Sequence, residues 1–281
     1  MKRAGRILCL IPLAYAAIAQ TSESPAAKDI EARIHQLRSL ADDARAVETR
    51  NLALEIRRVP AAEDELSLAL NLSSLSTEGG SADTLREVAA TIADGIRKVA
   101  AASDQAYDEL ARLVHYEGVD LRMNDPRFQS AMDGYEAKDR VREQSDFTLK
   151  DLSGKSWTLS RLRGHVVIVN FWATWCPPCR KEMPDLETLY QRFSGEGLVI
   201  LAISDEDDAK VRPFIAEQKY SYPILLDPGR LVNTRFQIEG IPVSLVYDRA
   251  GKLVAQSSDM RTMERFREML SRAGLGNQAV R

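Results

Sequence analysis

The stretch Val166-Val167-Ile168-Val169-Asn170-Phe171-Trp172-Ala173-Thr174-Trp175-Cys176-Pro177-Pro178-Cys179-Arg180-Lys181-Glu182-Met183-Pro184 decides how this chain is read. Its opening run of Val166, Val167, Ile168 and Val169 is apolar and β-branched, the pattern of a strand buried on both faces. Leu186, Leu189 and Tyr190 then recur at helical spacing, which predicts a helix that starts at the first cysteine. Two cysteines separated by two residues at a strand-to-helix junction form a dithiol signature. One thiol can attack a disulfide while the other stands within reach to resolve the mixed disulfide.

Around this stretch the sequence alternates. Residues 147–149 and 156–159 flank Asp151-Leu152-Ser153-Gly154 as a hairpin, and 198–203 reads as a second buried strand. A helix ending at Gln218, a short strand at 222–226 and a helical turn or short helix at 228–236 follow. Residues 242–247 and 253–256 form another hairpin, and 263–272 a closing helix. Strands alternating with helices argue for an α/β sheet covered on both faces, with the hairpins as antiparallel edges.

Upstream, residues 28–142 read as helical. Ile30, Ile34, Leu37, Ala41 and Ala44 form one apolar stripe, and Leu85, Val88, Ala89, Ile92, Ile96 and Val99 another. Pro60 separates two helices, the second with Glu63, Asp64 and Glu65 in its first turn, and Gly79-Gly80-Ser81 marks a break with an N-cap. Four or five helices packed as antiparallel hairpins are expected. All three tryptophans lie beyond this region, which supports a boundary near residues 141–146.

The first nineteen residues have the form of a signal peptide. Lys2, Arg3 and Arg6 precede a mostly apolar run, and Ala17-Ile18-Ala19 fits a small-x-small cleavage site. The run is shorter than the ~20 residues of a spanning helix, although an uncleaved membrane anchor is the competing reading. Residues 20–27 are then a polar linker and 273–281 a tail. A net charge of -3 and the lack of a basic cluster argue against nucleic acid as partner.

Cleavage would remove Cys9 and leave only Cys176 and Cys179 of the three cysteines. An exported chain with one CxxC uses it for chemistry rather than stapling. Zinc would need two further ligands, and His35, His115 and His165 supply no pair at ligand spacing. Neither metal nor cofactor is expected.

Residues 146–272 resemble the thioredoxin superfamily and, within it, the TlpA/ResA-like group of exported thiol-disulfide oxidoreductases. The resemblance rests on FWATWCPPCRKEMP, followed in order by Gly240-Ile241-Pro242 before a strand. It implies a thioredoxin-like α/β fold with an N-terminal hairpin and a central αβ insertion at residues 205–227, here preceded by an all-α domain that the resemblance does not cover. Where ordinary thioredoxins keep a buried aspartate, this chain has Asn170; the group instead places a glutamate three residues after the second cysteine, here Glu182. The resemblance thus moves proton handling to Glu182. It also implies that Pro242 is a cis-proline facing the CxxC, with the Ile241 backbone pairing with an extended substrate segment.

On this reading Cys176, at the helix N-terminus, is the attacking sulfur, and Cys179 is the more buried resolving thiol. Trp175 is an exposed platform beside it, grouped with Pro177, Ile241 and Pro242 as substrate-binding residues, and Trp172 belongs to the core. Pro177 and Pro178 lack the N–H groups that would stabilise a thiolate, and a charged Glu182 nearby would disfavour one. Both effects favour the disulfide and make the site a reductant of protein disulfides, with cytochrome c maturation as one pathway and a membrane protein as one electron donor. Two alternatives compete. A peroxidase of the peroxiredoxin kind wants a threonine where Ala173 stands, and an assembly protein would act through the helical half, as a surface for a partner or for self-association.

Overall fold

A computed structural model describes residues 25–76 and 81–276 of the protein. The expected signal peptide, the first part of the linker, Gly79-Gly80 and the end of the tail lie outside the described residues.

The N-terminal half consists of α1 (Pro25–Gln36), α2 (Asp42–Ile56), α3 (Ala62–Ser76), α4 (Ala82–Lys98), α5 (Asp104–Glu117) and α6 (Pro126–Gln144). That is six helices among the described residues, not four or five. The extra one arises because the first apolar stripe does not stay on one helix. Ile30, Ile34 and Leu37 are buried, but the chain turns through Leu37–Ser39, Leu40 and Ala41 are extended, and Ala41 and Ala44 are exposed. No glycine or proline marks the turn. Ser39 Oγ donates to the Gln36 carbonyl at 2.7 Å, a local bond that competes with continuing the helix. The linker reading is also shortened, since Pro25-Ala26-Ala27 open α1, a position where proline's missing N–H costs nothing.

Elsewhere the local signals act as read. Ser81 and Ser103 accept from the N–H groups of Thr84 and Ala106, each at 3.3 Å, and so cap α4 and α5. Leu85, Val88, Ala89, Ile92 and Ile96 all face the helical core. On α4, Gly95 lets α3 approach so closely that a Cβ there would meet Leu66 at 3.1 Å.

The C-terminal half is a mixed α/β unit. Strands β1 (Thr148–Lys150) and β2 (Ser156–Thr158) form an antiparallel hairpin. The main sheet contains β3 (Val166–Trp172), β4 (Leu198–Ser204), β5 (Ile224–Leu226), β6 (Val243–Tyr247) and β7 (Leu253–Ser257), in the order β5-β4-β3-β6-β7. Pairing is parallel for β3–β4 and β4–β5, antiparallel for β3–β6 and β6–β7. Between the strands run α7 (Pro177–Phe193), α8 (Asp208–Gln218) and α9 (Leu231–Arg235), and α10 (Met263–Arg272) closes the half.

Every residue of β3 is buried because apolar layers cover both faces. Ile168 and Trp172 face the layer containing Met183, Leu186 and Leu189 of α7 and Phe266 of α10; Val167, Val169 and Phe171 face Phe236 and Leu245. Each fully buried large side chain contributes about 1.5–3 kcal/mol. Asn170 is the polar exception in the strand, paired in register with Ala202 on one side and Ser244 on the other.

The two halves touch along the edge strand β7, against which α5 and α6 pack, so this edge is covered rather than left open to another chain. Arg142 of α6 donates to the Phe236 carbonyl at 3.1 Å, to the Tyr116 hydroxyl at 3.2 Å and to the Gln256 side chain, and Tyr247 Oη donates to the Arg142 carbonyl at 3.1 Å. No described helix is long and apolar enough to cross a membrane.

Candidate active site

The strand order brings the carboxyl ends of β3, β4 and β5 to one end of the sheet, and the CxxC lies there. Cys176 is the N-cap of α7, Pro177 and Pro178 are its first residues, and Cys179 completes the first turn. The two cysteines form a disulfide with their Cα atoms 5.3 Å apart. Cys176 is 3% exposed and Cys179 fully buried, whereas Trp175 beside them is 67% exposed. Since the two prolines have no N–H, the nearby donor is the Cys179 amide, which points at Cys176 Sγ at 3.3 Å.

One turn further along α7, Glu182 is 1% exposed. Its Oε1 accepts from Asn170 Nδ2 at 2.8 Å, and its Oε2 from the Arg261 backbone N–H at 3.0 Å. Asn170 Nδ2 also reaches Ser244 Oγ at 3.0 Å. Burial pushes the Glu182 carboxyl up to about 8, and the Arg261 amide and Asn170 only partly offset that rise. At neutral pH Glu182 is therefore mainly a carboxylic acid. This corrects the expectation that its charge opposes a thiolate at pH 7; that repulsion sets in only as pH rises through about 8.

The Ile241–Pro242 bond is cis. Ile241 is half-buried, packed against both apolar layers of the sheet, and Pro242 directly precedes β6. Trp172 is buried and packs on Phe214 with ring centroids 5.6 Å apart.

The AhpC/TSA family matches residues 142–256. Over 132 residues the chain is 34% identical to thiol-disulfide oxidoreductase ResA of Bacillus thuringiensis (strain Al Hakam), covering 47% of this chain and 76% of that relative. With ResA of Bacillus subtilis (strain 168) it shares 34% identity over 124 residues, covering 43% of this chain and 69% of the relative. This chain belongs to the ResA-like thiol-disulfide oxidoreductases. Among solved structures, StoA from Bacillus subtilis aligns with a TM-score of 0.41 at 25% identity, covering 45% of this chain and 96% of that one.

Two features of this ResA-like site escaped the sequence reading. Glu206, just past β4, is buried; its carboxylate accepts from the Thr174 N–H at 2.6 Å and from Thr174 Oγ1 at 2.9 Å, and so anchors the loop that enters the CxxC. An acidic residue at the carboxyl end of a strand parallel to β3 was the available signal. Arg261 contributes through its backbone, and nothing in the side-chain pattern announces a main-chain donor. Asn170, which lacks the carboxylate of ordinary thioredoxins, is a direct partner of Glu182.

Proposed function

We propose that this chain is an exported reductase of protein disulfides in which Cys176 attacks, Cys179 resolves and Glu182 handles the proton. The observation that carries the reading is Glu182 itself, buried one turn beyond Cys179 and held by Asn170 and Arg261.

In the reduced protein the Cys176 thiolate attacks one sulfur of the substrate disulfide, forming the mixed disulfide and releasing the first substrate thiolate. Cys179 must lose its proton before it can attack Cys176 Sγ. With its pKa at about 8, a minority of Glu182 is carboxylate at neutral pH, and that form accepts the proton and passes it to the departing substrate thiolate. The enzyme dithiol ends as the Cys176–Cys179 disulfide, the substrate gains two thiols, and two electrons have moved. Trp175 and Pro177 on the open side of the site, with the Ile241 backbone before Pro242, form the platform for an extended substrate segment. Export follows from the signal-like residues 1–19, and a membrane protein is the expected source of electrons.

Equilibration against glutathione buffers tests the direction of electron flow. The expected potential lies below about -200 mV; a value near about -120 mV, that of a strong oxidant, would overturn the reading. Peroxide consumption at rates matching disulfide exchange would favour the peroxidase alternative instead.

A further inference from the structure

Glu117 is the last residue of α5, where Gly118 turns the chain at φ 68°. A carboxylate is disfavoured at a helix C-terminus, which carries the negative end of the helix dipole. Yet Glu117 is 2% exposed and sits in the contact between the two halves. Its Oε1 binds Arg261 Nη2, its Oε2 accepts from Arg265 Nη2 at 2.8 Å, and Arg112 Nη1 lies 4.0 Å away. Burial alone would raise the Glu117 carboxyl, but the guanidiniums of Arg261, Arg265 and Arg112 outweigh it and hold Glu117 below the usual carboxylate range.

Arg261 is thus shared by two buried glutamates. Its side chain belongs to Glu117 of the helical half, and its backbone N–H belongs to Glu182 of the CxxC helix. The guanidinium is close enough to Glu182 to favour its ionisation. We propose that Glu117 is a positioning residue for the active-site carboxyl: by binding and neutralising the Arg261 guanidinium, it keeps the Arg261 N–H on Glu182 and screens Glu182 from that positive charge. The helical half is then a working part of the redox site rather than an appended module.

The other groups facing this pair are few. Glu182 faces Asp259 and Arg261 from the segment before α10, Tyr222 from the segment before β5, and Asn170 from the sheet, itself bonded to Ser244. Asp259 disfavours the Glu182 charge and Arg261 favours it. Around Glu117, Arg112, Arg261 and Arg265 carry charge at contact distance.

The inference rests on the role proposed for Glu182, so its test reads Glu182 directly and in the oxidised protein, where no thiol titrates. The Glu182 carboxyl is followed by NMR in the full chain carrying carboxyl-labelled glutamate, with Glu182→Gln identifying its signal. Glu117→Gln should shift the Glu182 midpoint to lower pH by at least about one unit, a tenfold change in its ionisation constant, because Arg261 is no longer neutralised. Arg261→Met removes the guanidinium but keeps the backbone N–H and the Glu117–Arg265 pair, and should shift the midpoint upward. Opposite shifts are not what general loosening of a core produces. If Glu117→Gln does not fold, Glu117→Asp, which keeps the charge but shortens its reach to Arg261, takes its place and should shift the midpoint in the same direction by less. An unchanged Glu182 midpoint in the folded variants would overturn the inference. Unchanged thiol chemistry in Glu182→Gln would instead overturn the proposed function and leave the Glu117–Glu182 coupling to be judged on its own titration.

Discussion

Glu117 and Glu182 are both almost wholly buried, yet the protein treats them in opposite ways. Glu117 is surrounded by arginines and stays ionised; Glu182 has an amide, a backbone N–H and a more distant guanidinium, and stays protonated up to about pH 8. Burial sets the cost of charge, and the partners decide whether that cost is met. One carboxylate thereby ties two halves of the molecule together, and the other is kept at a pKa suited to moving a proton.

The largest consequence is for stability at fixed pH. Glu117→Ala takes from Arg261 and Arg265 the buried carboxylate that both bind, although Arg265 keeps Glu268, and should cost about 3–5 kcal/mol in urea unfolding. Glu182→Gln at pH 6 replaces an acid that is neutral in the fold but ionised in the unfolded chain by a neutral amide of similar shape, and should cost nothing or raise stability by about 1–2 kcal/mol. Equal losses would erase the distinction between the two sites.

The second consequence is a pH dependence. The Glu182 carboxyl has a higher pKa folded, about 8, than unfolded, near 4.5. Its contribution to stability is therefore fully present below about pH 4.5 and is lost as pH rises toward 8, because the native state holds a proton that the unfolded chain releases. Between pH 5 and pH 7 the wild type should lose about 2–3 kcal/mol relative to Glu182→Gln. Parallel stability curves for the two proteins would show that Glu182 is ionised in the fold.

A smaller effect is expected at Glu206, which takes no part in this pair. Glu206→Gln keeps a hydrogen-bond acceptor for Thr174 but loses the charge that strengthens both bonds, a cost of about 1 kcal/mol. A thermal shift larger than that of Glu117→Ala would mean that the loop entering the CxxC, not the contact between the halves, dominates.

The sheet half was legible because its signals are local. The short, β-branched run at Val166 has the pattern of a strand buried on both faces, the CxxC and its prolines mark the start of α7, and the helix expected at 263–272 is α10. The first helical stripe misled because its period persists in sequence past Leu37 while the chain turns without a glycine or proline. Cys176 and Cys179 stand out by spacing, and Glu182 through the resemblance. Arg261 does not, since its contribution is a main-chain N–H 79 residues from Glu182, and Glu117 acts across 144 residues through Arg261. No periodicity or motif encodes a contact of that range.

The central claim is that the neutral, buried Glu182 exchanges protons with the dithiol, and titration of the reduced thiols tests it most directly. Thiolate absorbance is followed against pH in wild type and Glu182→Gln, alongside exchange rates with a model disulfide. As pH passes about 8 the wild-type thiols titrate beside a carboxylate that has itself ionised, so Glu182→Gln should lower at least one thiol pKa. It should also slow exchange by about 100-fold, the typical contribution of a general acid–base group. Superimposable titration curves with equal rates would contradict the account.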